Sequence, residues 1–214
     1  PISDKQVIND VDYRLCHDAA EIIANNFRSA NLRMAAGAVH HVESDTNIVF
    51  TDYTFQMLVE YISIGLFRYD VGKELLDGRF ASEDIPDEYH RMAQKAAEYF
   101  EASNGLKLSV PEINYIAILF MCAEAQNCVI TQNSDTESIS DDIIVYLSNL
   151  LAANLIDNDL LGDSMRSFMP GSLFRTKYGI EIDNPFLEDI TQSYGRLYTV
   201  CFAVSKFYEK YAWS

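Results

Sequence analysis

Two arginines stand at equivalent places in two similar apolar stretches. Residues 58–68 end in Leu-Phe-Arg at Arg68, and residues 165–175 end in Leu-Phe-Arg at Arg175. A guanidinium group is permanently charged and carries five N–H donors, so it pairs with a carboxylate or binds an anion. The two arginines are 107 residues apart. This spacing indicates two copies of one domain, and positions that carry chemistry are then expected twice.

Four histidines and four cysteines are the other candidate ligands or nucleophiles. We predict that His40 and His41 are an exposed loop pair, with a displaced phosphorylation or metal site as the alternative. His17 and His90 are predicted at or near the surface. The cysteines lie mostly in apolar contexts without a CxxC pair, which predicts buried free thiols and no zinc site. Because the sequence shows no Gly-rich phosphate loop or nucleophile elbow, we expect no enzyme and no cofactor.

The charge of the chain argues against direct binding of nucleic acid by this segment. The 214 residues include 16 basic and 32 acidic side chains, a net charge of −16, whereas a polyanion needs a basic surface. Hydrophobic residues make up 49% of the sequence, enough for a sizeable core. No apolar run approaches the ~20 residues of a membrane span. With no signal peptide in the sequence, the expected location is the cytoplasm.

Helical periodicity is found along most of the chain, and strand alternation with turn chemistry is hard to find. The sequence therefore predicts an all-α protein. Residues 36–50 are less regular, and residues 127–141 contain a polar, acidic stretch that predicts a surface linker between the two copies. Gly179 is expected to end a helix. The predicted helices span residues 4–35, 53–70, 88–102, 110–126, 143–155, 160–177 and 194–211.

Capping signals mark several of the predicted helix ends. Thr51 or Asp52 is the predicted N-cap of the helix over 53–70, and Gly105 follows the end of the helix over 88–102. Ser109 and Glu112 form the Ser-x-x-Glu pattern of a capping box, in which each side chain accepts the other residue's backbone N–H. The helix that follows is apolar on nearly every side, which predicts that it is buried in a bundle or an interface.

Several motifs follow one another in an order known from one protein family. Residues 174–190 contain Lys-Tyr-Gly-Ile and then Asn-Pro-Phe-Leu-Glu-Asp-Ile, residues 194–198 read Tyr-Gly-Arg-Leu-Tyr, and residues 112–119 read Glu-Ile-Asn-Tyr-Ile-Ala-Ile-Leu. These motifs resemble the PTS regulation domain, the duplicated helical module of bacterial regulators controlled by the sugar phosphotransferase system. The resemblance covers residues 50–126 and 141–214, and is closer to the multidomain activators than to the short antiterminators.

The resemblance implies two phosphorylatable histidines in each copy, one seven residues before the arginine and one in the last helix. Tyr61 and Leu119 stand at these places in the first copy, and Phe168 stands at the first place in the second copy. The final helix of the second copy is expected to be absent from the chain. Imidazole serves in phosphoryl relays because it is a neutral nucleophile near pH 7 and a good leaving group. The three replacements therefore predict a member that is not phosphorylated at the usual positions.

The resemblance also implies an architecture of two helical bundles. We expect an N-terminal helical segment over residues 1–49, a first PTS regulation domain over 50–128 and a second over 141–214. Arg68 and Arg175 lie beside the regulated histidines in the family. Here they are predicted to have structural roles, capping a helix end or pairing with a carboxylate.

The expected function is that of a regulatory and dimerisation region in a cytoplasmic bacterial transcriptional activator or antiterminator. The implied partners are a second copy, through helices 53–70 and 162–176, and phosphotransferase proteins such as HPr or the sugar-specific B components. DNA or RNA would be bound only through a domain outside this chain. The alternative is a sensor that binds an anion or metabolite at the vacated histidine sites. No metal is expected.

Overall fold

The computed structural model describes residues 29–73, 75, 85–123, 125, 134–182 and 187–212. Within these ranges the chain forms eight α-helices and no named strand, which confirms the predicted all-α fold class. Among them, no helix combines the length and the apolar character needed to cross a membrane. The helices are α1 (Ser29–Thr46), α2 (Asp52–Asp70), α3 (Asp87–Asn104), α4 (Val110–Met121), α5 (Ser134–Leu151), α6 (Asp159–Tyr178), α7 (Leu187–Ser193) and α8 (Gly195–Ala212).

Four helices enclose the core of the first compact unit, which spans Pro1–Cys128. α1 packs against α2 and α3, and α4 packs against α3 and α2. Aromatic side chains fill much of the interior, where Phe50 stacks on Phe120 with ring centroids 5.7 Å apart. Burying one such side chain stabilises the fold by about 2–3 kcal/mol. The largest fully buried side chains here are Tyr89, Phe50, Phe55, Phe100, Phe120, Leu32, Leu58, Ile62, Ile118 and Leu119.

The second compact unit, Val129–Ser214, is less enclosed in its described part. α5 packs against α6 and α8, as α1 packs against α2 and α3, and α8 also contacts α6 and the short α7. No other helix in the described part of this unit packs extensively against both α6 and α8. Large apolar side chains of these two helices are therefore exposed. They include Leu160, Phe168, Leu197, Tyr198 and Phe202.

Most predicted caps are present, because capping depends on residues close together in sequence. The Thr51 hydroxyl accepts the backbone N–H of Thr54 at 3.2 Å and begins α2. Gly105 and Gly179 adopt left-handed backbone conformations, with φ of 75° and 64°, just past the ends of α3 and α6. Only glycine takes this conformation at no steric cost, so these two residues end their helices as expected.

The prediction of less regular structure over residues 36–50 is wrong for residues 36–46. The described part of the first predicted helix begins at Ser29 and continues to Thr46, through Gly37 and both histidines of the His40-His41 pair. Those histidines are half-buried on a helix and do not form an exposed loop pair. Polar residues suggested a loop, but here they lie along one helix that packs on α2 and α3. The described part of the expected N-terminal segment thus lies in the first unit.

The bounds of two further helices, α5 and α4, differ from those predicted. α5 begins at Ser134, inside the predicted linker, and ends at Leu151 instead of residue 155. Acidic side chains stabilise the first turn of a helix, so an acidic stretch of sequence is compatible both with a linker and with the start of a helix. α4 ends at Met121 and not at residue 126, and the backbone N–H of Cys122 closes its last turn.

Glycine at position 37 is explained by the close approach of α3. A Cβ atom at Gly37 would overlap the Tyr99 hydroxyl and would lie 2.7 Å from Tyr99 Cζ. We expect Gly37→Ala to lower the free energy of unfolding by about 1–3 kcal/mol, because the overlap outweighs the better helix propensity of alanine. In a Tyr99→Leu background the same change should instead stabilise by about 0.5–1 kcal/mol. Urea unfolding of the four variants gives this double-mutant cycle, and equal effects in both backgrounds would contradict the packing argument.

Candidate regulatory site

Arg68 lies in the last turn of α2, where the helix dipole favours a positive charge. Its Nη2 donates to Oε2 of Glu112, in the first turn of α4, at 3.0 Å. The Glu112 side chain is 4% exposed and that of Arg68 25%. Removing one member of so buried a pair leaves the other charge without compensation. The ion pair therefore ties α2 to α4, and the structural role predicted for Arg68 agrees with this geometry.

The second carboxylate oxygen of Glu112 accepts the backbone N–H of Leu75 at 2.9 Å, just beyond α2. Glu112 therefore joins α4 both to the end of α2 and to the chain that follows it. The predicted capping box is not formed. Ser109 is the N-cap residue, but its side chain makes no capping bond, and its buried Oγ has no hydrogen-bond partner. The Glu112 carboxylate, which the sequence pattern predicted to cap α4, instead accepts hydrogen bonds from Arg68 and from the Leu75 backbone N–H.

Tyr115 lies one turn after Glu112 on α4 and supports the Arg68 side chain. The guanidinium carbon is 5.0 Å from the centre of the Tyr115 ring, a cation–π contact. Burial raises the pKa of Tyr115 to about 12, although the adjacent Arg68 charge acts in the opposite direction. The phenol is therefore neutral at pH 7 and serves as a polar, aromatic support for Arg68.

Tyr61 precedes Arg68 by two helical turns and lies on the same side of α2. It is half-buried and close enough to Tyr115 to influence the pKa of that phenol. Leu119, one turn beyond Tyr115 on α4, is fully buried. The two positions of the first unit that were expected to correspond to histidines thus hold a half-buried phenol and an enclosed aliphatic side chain. Neither is a nucleophile near neutral pH.

In the second unit, Arg175 occupies the last turn of α6 and is 8% exposed. Its guanidinium carbon lies 5.6 Å from the ring centre of Phe168, seven residues earlier. Its backbone carbonyl accepts the N–H of Ile180 at 2.9 Å, which closes the end of the helix. The Phe168 ring itself is 47% exposed. Each unit thus has an arginine–aromatic contact, but the partners differ: Arg68 contacts Tyr115 on a neighbouring helix, whereas Arg175 contacts Phe168 on its own helix.

A groove of about 300 Å³ runs between α6 and α8 beside Phe168. The sequence analysis did not predict it, because a groove depends on how the two helices are spaced. Cys201, predicted as a buried thiol, is exposed on one wall, whereas Cys122 is buried as expected. Cys16 and Cys128 lie outside the described residues. The groove is lined by Phe168, Met169, Ser172, Thr176, Cys201, Val204 and Ser205.

The histidines do not assemble a metal site in the described ranges. His40 Nδ1 lies 3.0 Å from Glu43 Oε2, and its ring packs on Phe55 with centroids 4.9 Å apart. The ring of His41 packs on Tyr99. No group of three or more histidine, cysteine, aspartate or glutamate side chains could hold a metal ion there. His17 falls in the part of the chain that is not described.

The arrangement in both units can hold helices together and present an aromatic surface. No family model, curated protein sequence or solved structure matches this chain.

Proposed function

We propose that these 214 residues are the regulatory, non-enzymatic region of a bacterial transcriptional regulator of the PTS-regulation-domain type. Its output is association with a second copy, and a nucleic-acid-binding domain elsewhere in the protein reads that association state. The protein functions in the cytoplasm, without a cofactor, and does not receive phosphoryl groups at the positions used in the family.

One observation carries this proposal: the residues at the expected acceptor positions. Tyr61 is half-buried beside Tyr115, Leu119 is fully buried, and Phe168 lies against Arg175. None of the three side chains can form a phosphohistidine-like linkage that transfers onward. Their contacts hold side chains of neighbouring turns and helices together, which supports an association module over a phosphoryl acceptor.

The alternative function, an anion sensor at the vacated histidine sites, is less well supported in the first unit. Arg68 already pairs with the buried carboxylate of Glu112, and an incoming anion would have to displace it. Displacement would leave Glu112 buried without its cationic partner, which is strongly unfavourable. We therefore favour association over anion sensing.

Phosphoryl transfer provides a direct test. We expect that incubation with radiolabelled phosphorylated HPr, or with a phosphorylated sugar-specific B component, leaves the chain unlabelled, because the acceptor positions hold no imidazole. The measurement is acid-labile label on the isolated chain, with a histidine-containing family member as the positive control. Label that persists in a His40→Ala/His41→Ala variant would contradict the proposal. Label lost in that variant would identify the pair as a displaced acceptor and would also contradict it.

A further inference from the structure

The connection between α5 and α6 exposes several large apolar side chains. We call residues 150–160, which contain the end of α5, the connection and the start of α6, the tip. Its exposed apolar side chains are Leu150 at 47%, Leu151 at 38%, Ile156 at 62% and Leu160 at 79%. Single apolar residues scattered over a surface need no explanation, but four at one end of a helix pair indicate a contact surface.

The backbone of the tip is fixed by hydrogen bonds of its own. The Ser148 hydroxyl accepts the backbone N–H of Leu155 at 3.2 Å, and the Ser148 carbonyl accepts that of Ala153 at 3.1 Å. Asn158 is the N-cap of α6, and its Oδ1 accepts the backbone N–H of Leu161 at 3.1 Å. Because these bonds already hold the connection, binding of a partner to the tip costs little loop-ordering entropy.

The tip lies in a part of the sequence that has no basic residue. Residues 108–165 contain no lysine, arginine or histidine, and the six lysines and arginines of the second unit all follow residue 165. In the tip itself, Asp157 and Asp159 alternate with the apolar residues Ile156 and Leu160. All four of these side chains are exposed, so the tip presents apolar and acidic groups on one surface.

The first basic residue after the tip does not neutralise it. Arg166 lies about 10 Å along α6 from the start of the helix. Its Nη2 pairs with Oδ1 of Asp141 at 2.9 Å, and its Nη1 lies 3.6 Å from Oδ1 of Asp163. Asp157 accepts the side-chain amide of Asn154 at 2.7 Å, but an amide is uncharged and leaves the negative charge in place. The surface of the tip therefore remains negative.

We propose that the tip binds a basic amphipathic helix of another protein. The apolar face of such a helix covers the exposed leucines and Ile156, and lysines or arginines at its edge pair with Asp157 and Asp159. An amphipathic helix carries both kinds of side chain within two turns, so it matches a small surface that is apolar and acidic. This inference goes beyond the association proposed above and does not depend on it.

Charge complementarity selects this partner over the other candidates. Nucleic acids and anionic membranes are negatively charged and would be repelled by the tip. The tip of a second copy would place Asp157 and Asp159 opposite the same two aspartates, and like charges that face each other across a contact cost several kcal/mol. A basic partner instead gains from each of these carboxylates and is attracted by the charge of −16 on the chain.

Binding of a synthetic peptide to the whole chain tests the inference. The probe is a labelled amphipathic helix of leucine and lysine, and fluorescence anisotropy measures its binding. One control peptide has glutamate in place of lysine, and the other has alanine in place of leucine. We expect the leucine–lysine helix to bind about tenfold more tightly than either control, because the tip offers both apolar area and negative charge. Equal affinity for the leucine–lysine and leucine–glutamate helices would overturn the inference.

Two double variants compare the tip with another exposed apolar surface of the same unit. Ile156→Gln/Leu160→Gln should weaken binding of the leucine–lysine helix about tenfold. The matched control is Leu197→Gln/Phe202→Gln on α8, where the side chains are 52% and 54% exposed. It should leave binding unchanged, because α8 has three basic residues and one acidic residue. All four side chains are exposed, so both variants should keep the fold.

A second pair of variants isolates the acidic residues of the tip. Asp157→Asn/Asp159→Asn should slow association of the peptide several-fold, and added salt should reduce the difference from wild type. Glu188→Gln/Asp189→Asn is the matched control, because it removes two exposed carboxylates from the first turn of α7 and changes the net charge equally. Its effect on the association rate should be smaller.

Three further outcomes would overturn the inference. Equal losses in the two apolar double variants would show that the peptide binds exposed apolar groups without selection. Equal losses in the two charge variants would show that net charge alone attracts it. If sedimentation shows that Ile156→Gln/Leu160→Gln dissociates a self-associated chain, the tip is a contact between copies and not a site for a basic partner.

Discussion

Replacing Glu112 with alanine is expected to lower the free energy of unfolding of the first unit by about 3–5 kcal/mol, the usual result of breaking a buried ion pair. Two contacts are lost together. Arg68 Nη2 loses its carboxylate, and the Leu75 N–H loses its acceptor. Hydrogen exchange measured separately for α2 and α4 is the appropriate readout, because the chain has two compact units and need not unfold in one step. The Leu75 amide should show the largest single increase in exchange rate.

Glu101 provides the matched control for this prediction. Its carboxylate pairs with Lys107 at 2.9 Å, but both side chains are more than half exposed, and such pairs contribute little in water. Glu101→Ala should therefore leave exchange in α2 and α4 unchanged. A double replacement, Arg68→Met with Glu112→Leu, should recover much of the lost stability, because no buried charge is left without a partner. A small loss in Glu112→Ala, similar to that in Glu101→Ala, would show that the ion pair does not hold α2 to α4.

We expect opposite effects when histidine is introduced at Tyr61 and at Leu119, the two positions proposed to match the family's acceptors. Tyr61→His should convert an unlabelled chain into one that accepts a phosphoryl group from phosphorylated HPr, since the side chain is only half-buried and Arg68 lies two turns away on the same helix. Leu119→His should remain unlabelled because a side chain at a fully buried position cannot be reached by a protein donor. It should also destabilise the first unit by about 2–5 kcal/mol, through lost packing and a buried polar ring.

Phe168→His tests the same prediction in the second unit. Phe168 is 47% exposed, so histidine there should also accept label, with no loss of stability. Acid-labile phosphate is measured on each variant, and thermal unfolding confirms that each is folded. If neither Tyr61→His nor Phe168→His is labelled by any phosphorylated donor of the system, the positional equivalence with the family's histidines is wrong. The proposed function would then lose its main support.

The sequence predicted α2, α3 and α6 closely. The expected spans 53–70, 88–102 and 160–177 differ from the observed helices by no more than two residues at either end. Thr51 and Asn158 cap the starts of α2 and α6, and Gly105 and Gly179 lie just past the ends of α3 and α6. Capping involves residues three or four apart, so the sequence contains the information for it. The all-α fold class follows from the same local signals.

Two local predictions failed because contacts with distant residues decided the outcome. The Ser-x-x-Glu pattern at Ser109 is typical of a capping box, yet Glu112 bonds to Arg68, 44 positions earlier. Residues 36–50 were expected to be less regular than a helix, but Gly37 lies within α1. Its lack of a side chain allows the close approach of Tyr99 on α3. In each case an interaction between helices replaced or overrode the local preference.

The site combines both kinds of information. The repeat in the sequence predicts that Tyr61 and Phe168 are one position in two copies, and that Arg68 and Arg175 are another. The sequence repeat does not indicate which side chains pack against these four residues. Only the tertiary structure shows that Arg68 pairs with the buried carboxylate of Glu112 on α4. Only the tertiary structure shows that Phe168 lies at a groove between α6 and α8. The physical reason is that side-chain identity and helical period are properties of the sequence, whereas burial and ion pairing depend on which helices meet.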